Sequence, residues 1–246
     1  MAQSRISIDL SEGEAHLWLI HMDDDRLCLE CCRDVLSSQE RERASRFKFE
    51  IDRSRYIVAH GALRSILASY LRLAPADLRF SVGSNGKPKL ASTPAGKRLE
   101  FNLSHSHAVS LVAVLQGREV GVDIEHVRED FRFDEVAERF FTFKEVTSLR
   151  ALPAPLQREA FYKCWTSKEA FLKAKGTGLS GELDEVEIIL TDEEFVRIRS
   201  AIQNWSLVEL SPWESYVGAL AVERVECRLK FLQWLQPTSG TAHRHC

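Results

Sequence analysis

The run from Phe161 to Gly181, FYKCWTSKEAFLKAKGTGLSG, sets charges into what otherwise reads as the apolar face of a helix. Phe161, Cys164, Trp165, Phe171 and Leu172 recur at helical spacing, and Lys168 occupies the position that should continue their stripe, with Glu169 beside it. A buried charge without a partner costs several kcal/mol, on the order of 2–7 even for a neutral polar group. The chain must therefore fold so that something answers Lys168. Glu169 and Lys173 stand at i and i+4, so a helix brings a carboxylate and an ammonium onto one face. Such a pair is either a solvated Glu–Lys pair flanking a core stripe or a site that holds a metal ion and a phosphate together.

At 246 residues, 44% hydrophobic and 28% charged, the chain can bury a full core as one large or two small domains. A net charge of −3 supplies no global basic field, so nucleic acid is not an expected partner. The N-terminus, MAQSRISIDLSEGEAHLWLI, lacks a basic segment followed by an apolar core, and no stretch approaches membrane-spanning length. The expectation is a cytoplasmic protein with no membrane association. Six cysteines at irregular positions read as reduced thiols, and the cluster Cys28, Cys31, Cys32 lacks the second pair a zinc site needs.

Apolar clustering predicts a strand over Ala15–His21, then one long helical segment over Ser38–Leu73, ended by Pro75 and Asp77. A short strand near Leu78–Val82, a turn at Ser84, Asn85 and Gly86, and a strand pair over Leu99–Leu103 and Ala108–Leu115 follow. After Gln116, Gly117 and Arg118 the pattern starts again. It comprises a strand over Val120–Glu125, helices over Asp134–Arg150 and Gln157–Lys175, and strands near Val186–Leu190, Ser206–Leu210 and Tyr216–Val222. This order predicts an α+β fold of two similar subdomains, 1–118 and 119–235, packed pseudo-symmetrically with the active site in the cleft between them. Residues 236–246, with His243, His245 and Cys246, are expected to be a flexible tail.

In Gly121-Val122-Asp123-Ile124-Glu125 the apolar residues alternate with the others, so Asp123 and Glu125 share one strand face, about 6.6 Å apart along the axis. The face is either an exposed acidic edge or, with Glu169, a set of three oxygen ligands suited to Mg²⁺. Phe101-Asn102-Leu103-Ser104-His105-Ser106 ends a strand with donors suited to an anion. Gly86-Lys87-Pro88 puts a cation on a stiff turn, and Arg41, Arg43, Arg46 and Arg53 interleave with glutamates on what reads as a solvated face. Gly176–Gly181 fits GxGxxG, but it follows a helix where a dinucleotide site needs a strand, so it reads as a helix C-terminus and turn. Phe140, Phe141 and Phe143 are either core residues or a docking surface for a partner helix.

Together these residues resemble the Sfp-type 4′-phosphopantetheinyl transferases, whose signature is a GxDxE strand followed by a WxxKExxxKxxGxGL helix. Here the signature stands as Gly121, Asp123, Glu125 and then Trp165, Lys168, Glu169, Lys173, Gly176, Gly178, Leu179. The turn Gly86-Lys87-Pro88, the strand end Asn102, Ser104, His105, Ser106 and the basic helix start LSSQERERASRF corroborate it, so the likeness covers about Leu36–Leu183. The resemblance implies coenzyme A bound between two α+β halves and used as substrate. Its 4′-phosphopantetheine arm would pass, with Mg²⁺, to a serine of an apo acyl or peptidyl carrier protein, releasing 3′,5′-ADP. It implies Asp123, Glu125 and Glu169 as metal ligands and Lys173 on the pyrophosphate. Arg43, Lys87, Ser104 and His105 would bind the nucleotide end, with Glu169 the candidate base. A monomer is expected. The rival readings are a silent CoA- or carrier-binding scaffold and a Mg²⁺-dependent hydrolase of a pyrophosphate.

Overall fold

The computed structural model describes residues 8–83, 86–93, 98–177, 187–191, 197–200, 204–223 and 227–236. Strand β1 (Glu14–His21) leads through helices α1 (Leu29–Asp34), α2 (Ser38–Ser45) and α3 (Glu50–Leu71) to the short pair β2 (Phe80–Val82) and β3 (Pro88–Leu90), then to β4 (Leu99–Ser106) and β5 (Val109–Gln116). The second half runs β6 (Val120–His126), α4 (Asp134–Phe140), α5 (Phe143–Ala151), α6 (Ala154–Lys175), the pair β7 (Ile188–Thr191) and β8 (Arg197–Ser200), β9 (Trp205–Leu210) and β10 (Tyr216–Glu223). Among the described residues the last strand is β11 (Arg228–Gln233).

One sheet has the order β11-β1-β5-β4 and the other β6-β10-β9. Leaving β11 aside, the orders β1-β5-β4 and β6-β10-β9 are the same path traced twice. Each half also carries one 22-residue helix and one two-stranded pair at the same point in the chain. The expected α+β fold of two like halves is present as a repeat of topology. β11 then crosses back and pairs parallel to β1, Leu17 opposite Phe231, so the chain's end ties the two halves together.

The layers run α3, first sheet, second sheet, α6. Val112 and Val114 of β5 face α3, whereas Leu111, Ala113 and Leu115 face the other sheet, where they meet Val120, Val122 and Ile124 of β6 and Leu220 and Val222 of β10. That double burial explains why VSLVAVL is apolar without alternation. Each such aliphatic side chain taken from water contributes about 1.5–3 kcal/mol. Beneath α3, the buried His16 has its Nδ1 2.7 Å from the Tyr70 hydroxyl, which also accepts from Trp18 Nε1 at 2.8 Å.

Several expectations are corrected. The segment read as one helix over Ser38–Leu73 is two, α2 held by the Ser37–Glu40 capping box and α3 starting anew at Glu50, because Arg46–Phe49 breaks the ladder. Likewise Thr142 opens α5 with its own capping box to Glu145, dividing the expected Asp134–Arg150 helix. Cys28 and Cys31, read as free thiols, form a disulfide. Short α1, β3, β8 and β11 carry too few residues for a periodic signal. Residues 237–246 and the Gly178–Gly181 part of the GxGxxG match lie outside the described residues, and Gly176 is the left-handed C-cap of α6 at φ 70°. Among the described residues no helix is long and apolar enough to cross a membrane.

Candidate active site

The site begins with a glycine. A Cβ at Gly121 would fall well inside contact distance of Ala170 O and Ala174 N, so β6 and α6 touch backbone to backbone only because this position has no side chain. The close approach carries Asp123, two residues further along the same strand face, up against the helix face that bears Glu169 and Lys173. Lys168 does not join them. It points into the second core, where its Nζ lies 2.9 Å from Glu145 Oε2, both side chains 0% exposed. Glu145 also accepts from the backbone N–H of Thr142 at 2.7 Å and of Ile188 at 2.8 Å. The charge that interrupts the apolar stripe is thus answered inside the protein. Sequence reading missed Glu145, although Thr142-x-x-Glu145 is a legible capping box.

β6 is the edge of its sheet, yet it is neither exposed nor laddered to β4. Alternate side chains of β4 bridge the gap. Asn102 Oδ1 accepts from Val122 N at 2.9 Å, Ser104 Oγ donates to Asp123 Oδ1 at 2.8 Å, and Ser106 Oγ donates to Glu125 Oε2 at 2.7 Å while accepting from His126 N at 3.0 Å. The N-x-S-x-S spacing follows from the two-residue period of a strand, which puts all three on the face toward β6 and leaves His105 on the other.

Lys173 Nζ completes a triangle, 2.5 Å from Asp123 Oδ1 and 2.9 Å from Ser104 Oγ. Two carboxylate oxygens here, Asp123 Oδ2 and Glu169 Oε1, are buried without a hydrogen-bond partner among the described residues. Burial, and then the neighbouring charges of Asp123 and Glu125 against that of Lys173, push the Glu169 carboxyl up to about 7. Burial first, with Asp123 adding to it, also raises Glu125, against the pull of the Ser106 hydrogen bond and Lys173. Each unsatisfied buried acceptor costs about 1–3 kcal/mol, and a cation brought to them relieves both the missing bonds and the repulsion. The donor set fits an oxygen-preferring divalent ion. Among the described residues no three side chains of His, Cys, Asp or Glu stand arranged to hold a metal ion; Lys173 and Ser104 occupy one oxygen of Asp123 and Ser106 one of Glu125.

Beside the acids lies a cationic rim. His105 still reaches solvent, and partial desolvation first, then the charges of His60, Lys173 and Arg43, lower its pKa against the pull of Asp123. Arg43 lies over the Tyr56 ring at 5.7 Å, and Tyr56 stacks on His60 at 4.1 Å. His60 was not singled out from sequence, since one histidine on an arginine-rich helical segment carries no signal of its own. Lys87 is engaged elsewhere, buried with its ammonium on Glu119 and two backbone carbonyls. An anion bound between Lys173 and this rim would sit next to the acids, which is the arrangement needed for a metal-assisted reaction at phosphorus.

Comparison with known proteins decides the family. Residues 26–116 match the domain described as 4′-phosphopantetheinyl transferase, N-terminal, and residues 119–221 match the 4′-phosphopantetheinyl transferase superfamily. The 4′-phosphopantetheinyl transferase HetI of Nostoc is 40% identical over 225 residues, 92% of this chain and 94% of that one. The chain belongs to the 4′-phosphopantetheinyl transferase family. It is of the Sfp type: Sfp of Bacillus subtilis is 32% identical over 163 residues, 66% of this chain and 70% of that protein. The human L-aminoadipate-semialdehyde dehydrogenase-phosphopantetheinyl transferase is 29% identical over 164 residues, 63% of this chain and 53% of its own length. In this transferase, as the fold shows, the GxDxE motif is one strand of the β6–α6 contact and the WxxKExxxK motif is the helix packed on it.

Proposed function

We propose that this transferase moves the 4′-phosphopantetheine arm of coenzyme A onto a serine of an apo acyl or peptidyl carrier protein, with Mg²⁺, and releases 3′,5′-ADP. The observation that carries this reading is the Asp123–Lys173 pair flanked by the two orphaned carboxylate oxygens. Asp123, Glu125 and Glu169 would hold the ion, which when bound neutralises pyrophosphate charge and polarises the phosphorus under attack.

The remaining roles fall to side chains of the chain itself. Lys173, aimed at the acid cluster, would bind the pyrophosphate and offset the charge that develops on the departing 3′,5′-ADP. Arg43 and His105 on the rim, with Ser104, would hold the nucleotide end. The serine oxygen forms its bond to the β-phosphorus, and the bond from that phosphorus to the ADP oxygen breaks. The serine proton needs an acceptor, and Glu169, in the acid cluster beside Lys173, is the candidate base. The enzyme would act as a cytoplasmic monomer, its cleft supplied by the two halves of one chain.

Intact-mass spectrometry of an apo carrier protein incubated with this protein, CoA and Mg²⁺ tests the reading, beside an EDTA control and Glu169→Ala. The expected result is a gain of one phosphopantetheine, abolished in both controls. CoA binding without any gain across acyl and peptidyl carriers would favour a scaffold. CoA cleavage without a carrier would favour a hydrolase.

A further inference from the structure

Lys87 arises from the β2–β3 connection of the first half but buries its ammonium in the second. Its side chain is only 6% exposed. The Nζ donates to Glu119 Oε2 at 2.7 Å, Val120 O at 3.0 Å and Ala174 O at 2.9 Å. An ammonium has three N–H donors, and all three are used. Moving this group to a substrate phosphate would take this donor from two buried carbonyls and leave Glu119 with only one of its two lysine partners.

The three acceptors have a shared position. Val120 O and Ala174 O flank the Gly121 contact, one from the strand and one from the helix. Ala174 O is among the last carbonyls of α6, which have no partner within the helix, and a cation there also opposes the negative end of the helix dipole. Ala174 follows Lys173 directly, and Val120 precedes Asp123 by three residues on β6. Around Lys87, Gly83 N is bonded to Lys87 O at 2.9 Å, Gly86 stands at φ 88° and Pro88 is next in the chain. The C-cap Gly176 abuts the stem, where a Cβ would lie 3.4 Å from Lys87 Cδ. Lys89 reaches the other oxygen of Glu119 at 3.1 Å.

We infer that Lys87 is a positioning residue, a pin that sets α6 against β6 so that Lys173 meets Asp123, and that its ammonium makes no contact with the nucleotide. The kinetic part of this inference rests on the transferase reading; the structural part does not.

The test uses full-length wild type, Lys87→Met, Lys87→Arg and Lys89→Met. Steady-state constants are measured for CoA and for 3′-dephospho-CoA, and hydrogen exchange is followed over β6 and the last turn of α6. Lys87→Met is expected to lose about 100-fold in kcat, the scale of an ångström-sized misplacement. Its KM for CoA and its preference over 3′-dephospho-CoA should stay at wild-type values, while exchange quickens at both backbone segments. Lys87→Arg should recover part of kcat, and Lys89→Met should resemble wild type. A tenfold rise in KM for CoA, or a lost preference for the 3′-phosphate, would overturn the inference and make Lys87 a ligand. Unchanged kcat with unchanged exchange would overturn it too. If Lys87→Met does not fold, Lys87→Arg and Glu119→Gln carry the same kcat, KM and exchange comparison. A wild type without transfer activity would count against the proposed function alone, since the exchange comparison reads the pin without turnover.

Discussion

Lys168 and Glu145, far apart in the chain and both fully buried, meet at 2.9 Å in the core of the second half. The pair joins α6 to the first turn of α5, and Glu145 holds the N–H of Ile188 as well. Removing one member leaves the other charge uncompensated. Lys168→Met is therefore expected to lose about 3–5 kcal/mol of stability, read as a lower urea midpoint. A loss within about 0.5 kcal/mol, the range of an ordinary surface substitution, would refute a buried pair.

Gly121→Ala introduces a methyl where Ala170 O and Ala174 N already sit. Overpacking of this kind costs about 1–3 kcal/mol. Because the strain falls between Asp123 and Lys173, transfer activity should drop further than stability. Crystallography of the variant should show α6 displaced from β6.

His16 is buried between α3 and the first sheet, and burial, with Lys230 adding to it against the pull of Glu14, holds its pKa below the ordinary value of 6.5. Native His16 thus stays neutral while the unfolded chain takes up a proton. Its contribution is complete above about pH 6.5 and is lost as the pH falls below it. Urea midpoints measured through this range should fall on the acid side in wild type, with a shallower fall in His16→Gln. An equal slope in both would mean other groups set the acid limit.

A cation that fits the orphaned oxygens should stabilise the fold before any substrate is present. At Mg²⁺ near 100 times its Kd the gain is about 2.7 kcal/mol, visible as a raised Tm that EDTA reverses. Asp123→Asn and Glu169→Gln should each remove the Mg²⁺ response. A response retained in both would place the ion elsewhere.

Of the aromatics expected either to be core or to dock a carrier, Phe141 is buried on Phe161, Phe140 packs edge-on to Trp165, and Phe143 is 86% exposed at the start of α5. Phe143→Ala should leave the unfolding midpoint unchanged. If this face receives the carrier helix, the variant's KM for carrier rises at least about fivefold, the scale of a residue worth 1 kcal/mol at an interface, with KM for CoA unaffected. Unchanged carrier KM in the folded variant would leave Phe143 an ordinary exposed aromatic.

What local rules decide was legible in the chain. The two-residue period placed Asp123 and Glu125 on one face of β6, the i to i+4 spacing placed Glu169 and Lys173 on one face of α6, and the apolar runs marked β1, β5 and β10. Those rules act over a few residues and need no knowledge of distant partners. Helix breaks at Arg46–Phe49 and at Phe141–Thr142 were missed: at the second the Thr142 capping box outweighs a continuing apolar period, while at the first α3 starts after Phe49 with no side-chain cap to mark it.

Only the tertiary structure could decide which charge had a structural use and which a chemical one. Lys168, Glu169, Lys173 and Lys87 look alike as charged residues within family motifs. Packing gave Lys168 a buried carboxylate and Lys87 three acceptors, Lys173 a shared carboxylate, and Glu169 an oxygen with no partner. Desolvation penalties depend on what surrounds a group in three dimensions, and the partners came from α5, β6 and a turn of the other half, none of them adjacent in sequence. The sequence by itself settled the elements and the kind of chemistry they can carry. The fold settled which atoms are left free to perform it.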